Sequence, residues 1–271
     1  MQVHRTNMFR IPILGTVLVT SLLAARPLGA ADVTVREITQ MLVNEQPGRI
    51  VTLAGRDLSF LDLSGLDFKG ARLTGANLYA ADLSQANLRN VDLSGALLDR
   101  ARIIGADFSH ANLSGAVMRL PHAASSATFS RVDAPRFAGA DLSHARLVAR
   151  LDGADFRGAD MQGAQLHPYG DGTQNAAARR TSLIACDFSA AVLVGANLSN
   201  SLLTFAKFTN ADLTGANLRG ADLSKTNFFG ATLAAADLTG ADLDGANFHG
   251  ANGLETVVGL DLARNVERAL R

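Results

Sequence analysis

The residues of this chain that could do chemistry are few in type and regular in place. There is one cysteine, Cys186, so no intramolecular disulfide can form. It stands two residues before Phe188, where neighbouring units hold alanine, and it reads as a packing residue rather than a reactive thiol. The six histidines are His4, His110, His122, His144, His167 and His249, and no two share zinc-site spacing. Serine and threonine abound without a Gly-x-Ser-x-Gly turn, and there is neither a phosphate-binding loop nor a dinucleotide fingerprint. No residue is assigned a catalytic, cofactor-binding or metal-binding role, and no cofactor is expected.

The carboxylates are more suggestive because they fall in rows. Asp62 and Asp82, and likewise Asp222 and Asp242, are twenty residues apart. On neighbouring strands such residues would lie about 4.8 Å apart. That spacing could serve a calcium ion or an acid/base couple. It could equally be a solvated row set by a repeat, with Asn interspersed to limit repulsion, and the second reading explains every position.

The repeat is the element that positions them. From Ala211 to Ala251 the chain reads Ala-Asp-Leu-Thr-Gly, Ala-Asn-Leu-Arg-Gly, Ala-Asp-Leu-Ser-Lys and onward in steps of five, and the beat recurs from Arg56 to Arg119 and from Val132 to His167. A period of five matches neither an α-helix nor a strand, and describes a chain that turns a corner every unit and stacks on itself. The central residue is Phe at 188, 208, 228 and 248 and aliphatic between. Four units therefore complete one coil, and the rings should form one column. In the middle block Phe156 follows Phe137 by nineteen residues, so one unit is short, with Leu151 marking it. Inward alanines should tolerate enlargement badly, so Ala216→Leu should be more damaging than Asp222→Ser.

At these residues the chain resembles the pentapeptide repeat family, from about Arg56 to Ala251. The resemblance implies an all-β fold, a right-handed quadrilateral β-helix, here of about eight coils. It also implies a homodimer through a C-terminal helix.

Taken in order, residues 1–31 read as a signal peptide. His4, Arg5 and Arg10 precede an apolar stretch from Ile11 to Ala25, then small residues at Gly29, Ala30 and Ala31. Residues 32–55 supply an N-terminal capping helix and lead-in, with the helix over Thr34–Gln46. Its capping box is Thr34 and Glu37, and Ile38, Met41 and Leu42 share a face. Residues 56–252 form the solenoid, interrupted near 119–131 and 168–180. Residues 253–271 are expected to close it with an amphipathic helix on Val258, Leu262, Val266 and Ala269. The second interruption carries Tyr169, Asp171, Arg179 and Arg180, a candidate partner-binding loop, since loops on rigid scaffolds often recognise partners.

Charge is balanced at 25 basic and 25 acidic residues. Without Arg5, Arg10 and Arg26 the balance becomes 22 to 25, near −3, so direct nucleic-acid binding is not expected. The leading expectation is a non-enzymatic scaffold of the bacterial envelope, exported to the periplasm, that binds an unidentified protein. A membrane tether through an uncleaved signal is the alternative placement. The alternative function, implied by the resemblance, is a DNA-mimicking gyrase-binding protein of the quinolone-resistance type.

Overall fold

The structure, a computed structural model, describes residues 32–44, 49–123, 132–167 and 180–270. All of them belong to one compact unit, Ala31–Arg271. The expected signal peptide, and Tyr169, Asp171 and Arg179, lie outside the described residues.

Each five-residue unit folds the same way. Its small residue and its central Leu or Phe are buried, while the residue between them faces out and pairs with its counterpart one coil away. Around Leu73, the Arg72 amide donates to Val51 O of the preceding coil at 2.8 Å. Leu73 and Gly75 donate to Asp92 O and Ser94 O of the next at 2.6 and 2.8 Å. A turn closes the unit as Ala76 donates to Leu73 O at 3.0 Å. The turn needs a left-handed residue, and Gly75 supplies it at φ +64°.

The outward residues form four columns of parallel bridges. One runs Thr52, Arg72, Asp92, Asn112, Asp141, Asp160, Val192, Asp212, Thr232, Asn252. The second to fourth columns begin at Asp57, Asp62 and Asp67 and end at Val258, Arg264 and Leu270; the third has no bridge between His122 and Arg150 among the described residues. Each column has ten rungs, against the eight or so coils expected. Nine steps at about 4.8 Å give a stack of roughly 43 Å. Most sides contribute a single bridging residue. Among the described residues only β1 (Val117–Arg119) and β2 (Arg146–Val148) are long enough to be strands, and they pair in parallel.

The aromatic column is continuous. Phe108, Phe137, Phe156, Phe188, Phe208, Phe228 and Phe248 stack with centroids 4.8–5.2 Å apart and planes within 8° of parallel. Phe137 and Phe156 share the column because the unit between Arg146 and Arg150 is four residues long, as Leu151 marks.

At the N-terminal end, α1 spans Val35–Val43, with the Thr34–Glu37 capping box formed. It buries Ile38 and Leu42 on the first coil, whereas Met41 faces solvent by more than a third. Asp32 completes the join, donating its amide to Asp57 O at 2.7 Å and accepting the Asp57 amide through Oδ2 at 2.9 Å.

The C-terminal helix expected over 253–271 is not an α-helix. Three 3₁₀ turns, Leu254–Thr256, Leu260–Leu262 and Val266–Arg268, alternate with bridging residues Val258, Arg264 and Leu270. The segment is one more coil, built from six-residue units. Gly253, Gly259 and Asn265 have positive φ and directly follow the bridging residues Asn252, Val258 and Arg264, whereas in a five-residue unit the left-handed residue comes three places after the bridge. Leu254, Leu260 and Val266 fold back against the core, while Val258 and Leu262 are exposed.

Candidate interaction surface

Outward Asp and Asn prove to be part of the turn. Asp62 Oδ1 accepts the Ser64 amide at 3.1 Å, and Asp82, Asp222 and Asp242 accept those of Ser84, Ser224 and Asp244 at 2.9–3.2 Å. A side-chain oxygen satisfying the amide two residues on is the Asx-turn arrangement, which fixes the corner. The spacing Asp-x-Ser, visible in the sequence, was the signal for it. Asp62 and Asp82, and Asp222 and Asp242, are bridge neighbours as expected.

Their electrostatics follow from these bonds. At Asp155 burial opposes ionisation, but hydrogen bonds from Arg157 and the charges of Arg157 and Arg136 outweigh it and hold the pKa below its usual value. At Asp107 burial is likewise outweighed, by the Ser109 bonds and by Arg136 and Arg89. Arg102 pairs with Asp82 at 3.2 Å, and Arg219 with Asp237 at 3.0 Å. The rows are thus interleaved with arginine.

The other chemical candidates are structural. Cys186 is fully buried and donates to Leu151 O at 3.1 Å, and burial pushes its thiol pKa far up. Among the described residues no cluster of His, Cys, Asp or Glu could hold a metal ion. No helix among them is long and apolar enough to cross a membrane.

Of the loop predicted to bind a partner, Arg180 alone is described. Its guanidinium donates to Asn200 O at 2.6 Å and Gly220 O at 3.2 Å, one and two coils down, so it fastens the loop's return to a corner. Asp152 does the same from the other side. Its Oδ1 accepts Ser182 Oγ at 2.5 Å and the Ile184 amide at 3.1 Å, and its Oδ2 accepts Arg150 Nε at 2.8 Å. Sequence reasoning missed Asp152 because it stands one residue after the centre Leu151, where the repeat usually carries Ser, Thr or Arg, rather than one before it.

The least ordinary outer surface lies along the corner after the second column. There Phe60 and Tyr79 meet edge to face at 5.4 Å, with Leu120 exposed further along. Neither Phe60 nor Leu120 follows the repeat, which favours Gly at those places.

The repeat matches a known family. The family model "Pentapeptide repeats" matches in eight copies over residues 53–90, 81–119, 136–167, 181–220 and 221–252, more than half of the chain. No curated protein matches it. Among solved structures it is similar to HetL, a pentapeptide repeat protein involved in heterocyst differentiation regulation from the cyanobacterium Nostoc sp. strain PCC 7120. The identity is 25%, over 88% of this chain and 94% of that one, with a TM-score of 0.41. It is also similar to QnrB1, a plasmid-mediated fluoroquinolone resistance protein, at 17% identity over 80% and 91%, with a TM-score of 0.37. A pentapeptide repeat protein of the Arabidopsis thaliana thylakoid lumen is 30% identical over 45% and 71%, with a TM-score of 0.25. With the five-residue unit seen in the backbone as well as in the sequence, the chain belongs to the pentapeptide repeat family.

Proposed function

We propose that this protein is an exported, non-enzymatic rod of the bacterial envelope, wound as a right-handed quadrilateral β-helix, whose outer surface holds a protein partner. The observation that carries this reading is the use to which polar side chains are put. The repeated outward Asp and Asn accept turn amides, and many also pair with arginine, while the interior is a solid column of Leu, Phe and Ala. Such a molecule offers a rigid surface of fixed spacing. Export rests on the basic, apolar and small-residue succession of residues 1–31. The interleaved arginines favour a scaffold over a mimic of DNA, whose surface would be anionic throughout.

The test is to express the full chain in a Gram-negative host, fractionate the cells and determine the mature N-terminus by mass spectrometry. A soluble periplasmic product beginning near Ala31 or Asp32 is expected. An intact cytoplasmic chain would overturn the placement and make gyrase supercoiling the next assay.

A further inference from the structure

The first four coils contain an internal comparison. At the corner after the first column their left-handed positions are Gly55, Gly75, Gly95 and Gly115, all at φ +64°. At the corner after the second column the equivalent residues are Phe60, Ala80, Arg100 and Leu120, at φ +61°, +53°, +60° and +51°. The backbone does the same work at both. Gly75 donates to Ser94 O at 2.8 Å and Gly95 to Ser114 O at 2.9 Å. Phe60 donates to Tyr79 O at 3.0 Å and Arg100 to Arg119 O at 2.9 Å. Glycine would suit both corners, and a bulky residue with positive φ is a genuine outlier.

The second corner bears a further burden, because the strained side chains are also exposed. Phe60 is 63% and Leu120 54% exposed, and Leu97, on the adjoining side, is 45% exposed. Strain retained where it does not aid folding is a pointer to function, and exposed apolar side chains recurring along the same corner add to it. Half-buried Tyr79 lies against Phe60. Phe, Tyr and Arg are among the residues enriched at protein interfaces.

Charge identifies the occupant. Arg89, Arg102 and Arg119 pair with Asp107, Asp82 and Asp99. Arg100, exposed and amid the apolar side chains, pairs with no carboxylate among the described residues. From Phe60 to Leu120 is three coil steps, roughly 14 Å, the reach of about four extended residues. Deepening the scaffold reading, on which it rests, we propose that this ridge docks an extended protein segment that presents on one face two apolar side chains four residues apart, with a carboxylate midway between them. Phe60 and Leu120 hold its apolar groups and Arg100 its acid.

The probes are three synthetic seven-residue peptides on a serine background, one with Leu, Glu and Leu at positions 2, 4 and 6, one with Lys in place of Glu, and one with Ser in place of both Leu, titrated against the full mature chain by calorimetry. The Leu/Glu peptide should bind, and the other two at least tenfold more weakly. The triple variant Phe60→Gly/Arg100→Gly/Leu120→Gly should lose at least tenfold in affinity while melting several degrees higher, because glycine relieves three left-handed positions. Relief elsewhere, in Ala190→Gly/Ala235→Gly, should raise the melting temperature and leave binding unchanged. The proposal is overturned if the triple variant binds like the parent or melts no higher, or if the Leu/Lys peptide binds equally well. It is also overturned if the triple substitution abolishes self-association instead, which would make the ridge a contact between copies. A cytoplasmic chain that still binds the Leu/Glu peptide would sink the envelope reading alone. An exported chain that does not bind it would sink the ridge alone.

Discussion

Asn77 donates its side-chain amide to Asp57 Oδ1, one coil earlier, at 3.0 Å, and Asn87 does the same to Asp67 at 3.0 Å. Asp on the earlier coil and Asn on the later one make a directional ladder. Asn247 extends the same device to Asn227 at 3.1 Å.

Asp141 and Asp160 are bridge neighbours on the first column without such a donor, each serving only its own turn. Asp160→Asn should remove the repulsion, add the ladder bond and keep the Gln162 turn. Directly opposed like charges destabilise by up to ~1 kcal/mol, so a gain of about 0.5 kcal/mol is expected. It should show as a melting temperature higher by about 1–2 °C. No gain would mean that the ladder bond depends on more than the Asp/Asn order.

The corners should answer to glycine with opposite signs. A Cβ at Gly215 would meet nothing within 4 Å, so Gly215→Ala introduces only the positive-φ strain, about 1 kcal/mol. Ala235, at φ +55°, already bears that strain, and Ala235→Gly should regain a similar amount. Urea denaturation of both variants measures the pair. Shifts of the same sign would refute the corner assignment.

The Phe column should be the costliest place to cut. Phe208 is stacked between Phe188 at 4.8 Å and Phe228 at 5.2 Å, and Phe208→Ala should destabilise by about 3–5 kcal/mol. Ala216 is fully buried, so Ala216→Leu should destabilise by about 1–3 kcal/mol through overpacking. Asp222→Ser, which weakens one turn cap, should cost less. Equal melting temperatures for the last two would contradict the inward and outward faces.

Acid should unfold the rod late and steeply. Asp107, Asp155 and Asp222 are held below the ordinary 3.8, since hydrogen bonds and neighbouring arginines outweigh burial. A depressed carboxylate contributes stability above its unfolded pKa and loses it as pH falls through the folded value. The urea midpoint should therefore hold from pH 7 to about 5 and fall below about 4. A decline that began near pH 6 would point to other groups.

The stacking period was readable in the sequence because Phe at every twentieth residue can only mean four sides, and the short unit showed through Phe137 and Phe156. The closing coil was not readable from its apolar residues. A six-residue unit puts them at Leu254, Val257, Leu260, Ala263, Val266 and Ala269, every third residue, which imitates one face of a helix. Gly253, Gly259 and Asn265, six apart, carried the true register. The strained corner was legible only as a departure from the repeat, since the sequence shows Phe60 and Leu120 but not their dihedral angles. Three of the four loop residues selected for recognition fall outside the described residues.

Asp107 meets Arg136 after 29 residues, Arg136 meets Asp155 after 19, Asp155 meets Asp187 after 32, and Asp187 meets Lys207 after 20. All four journeys close the same circuit, and the rings of Phe108, Phe137, Phe156, Phe188 and Phe208 stay stacked throughout. The sides keep their register although Arg136 follows His122 by 14 residues and Ser182 follows Gln165 by 17, where five is usual. The rod is thus a ruler with sockets, able to gain or lose a graft at a vertex while every other surface residue keeps its height.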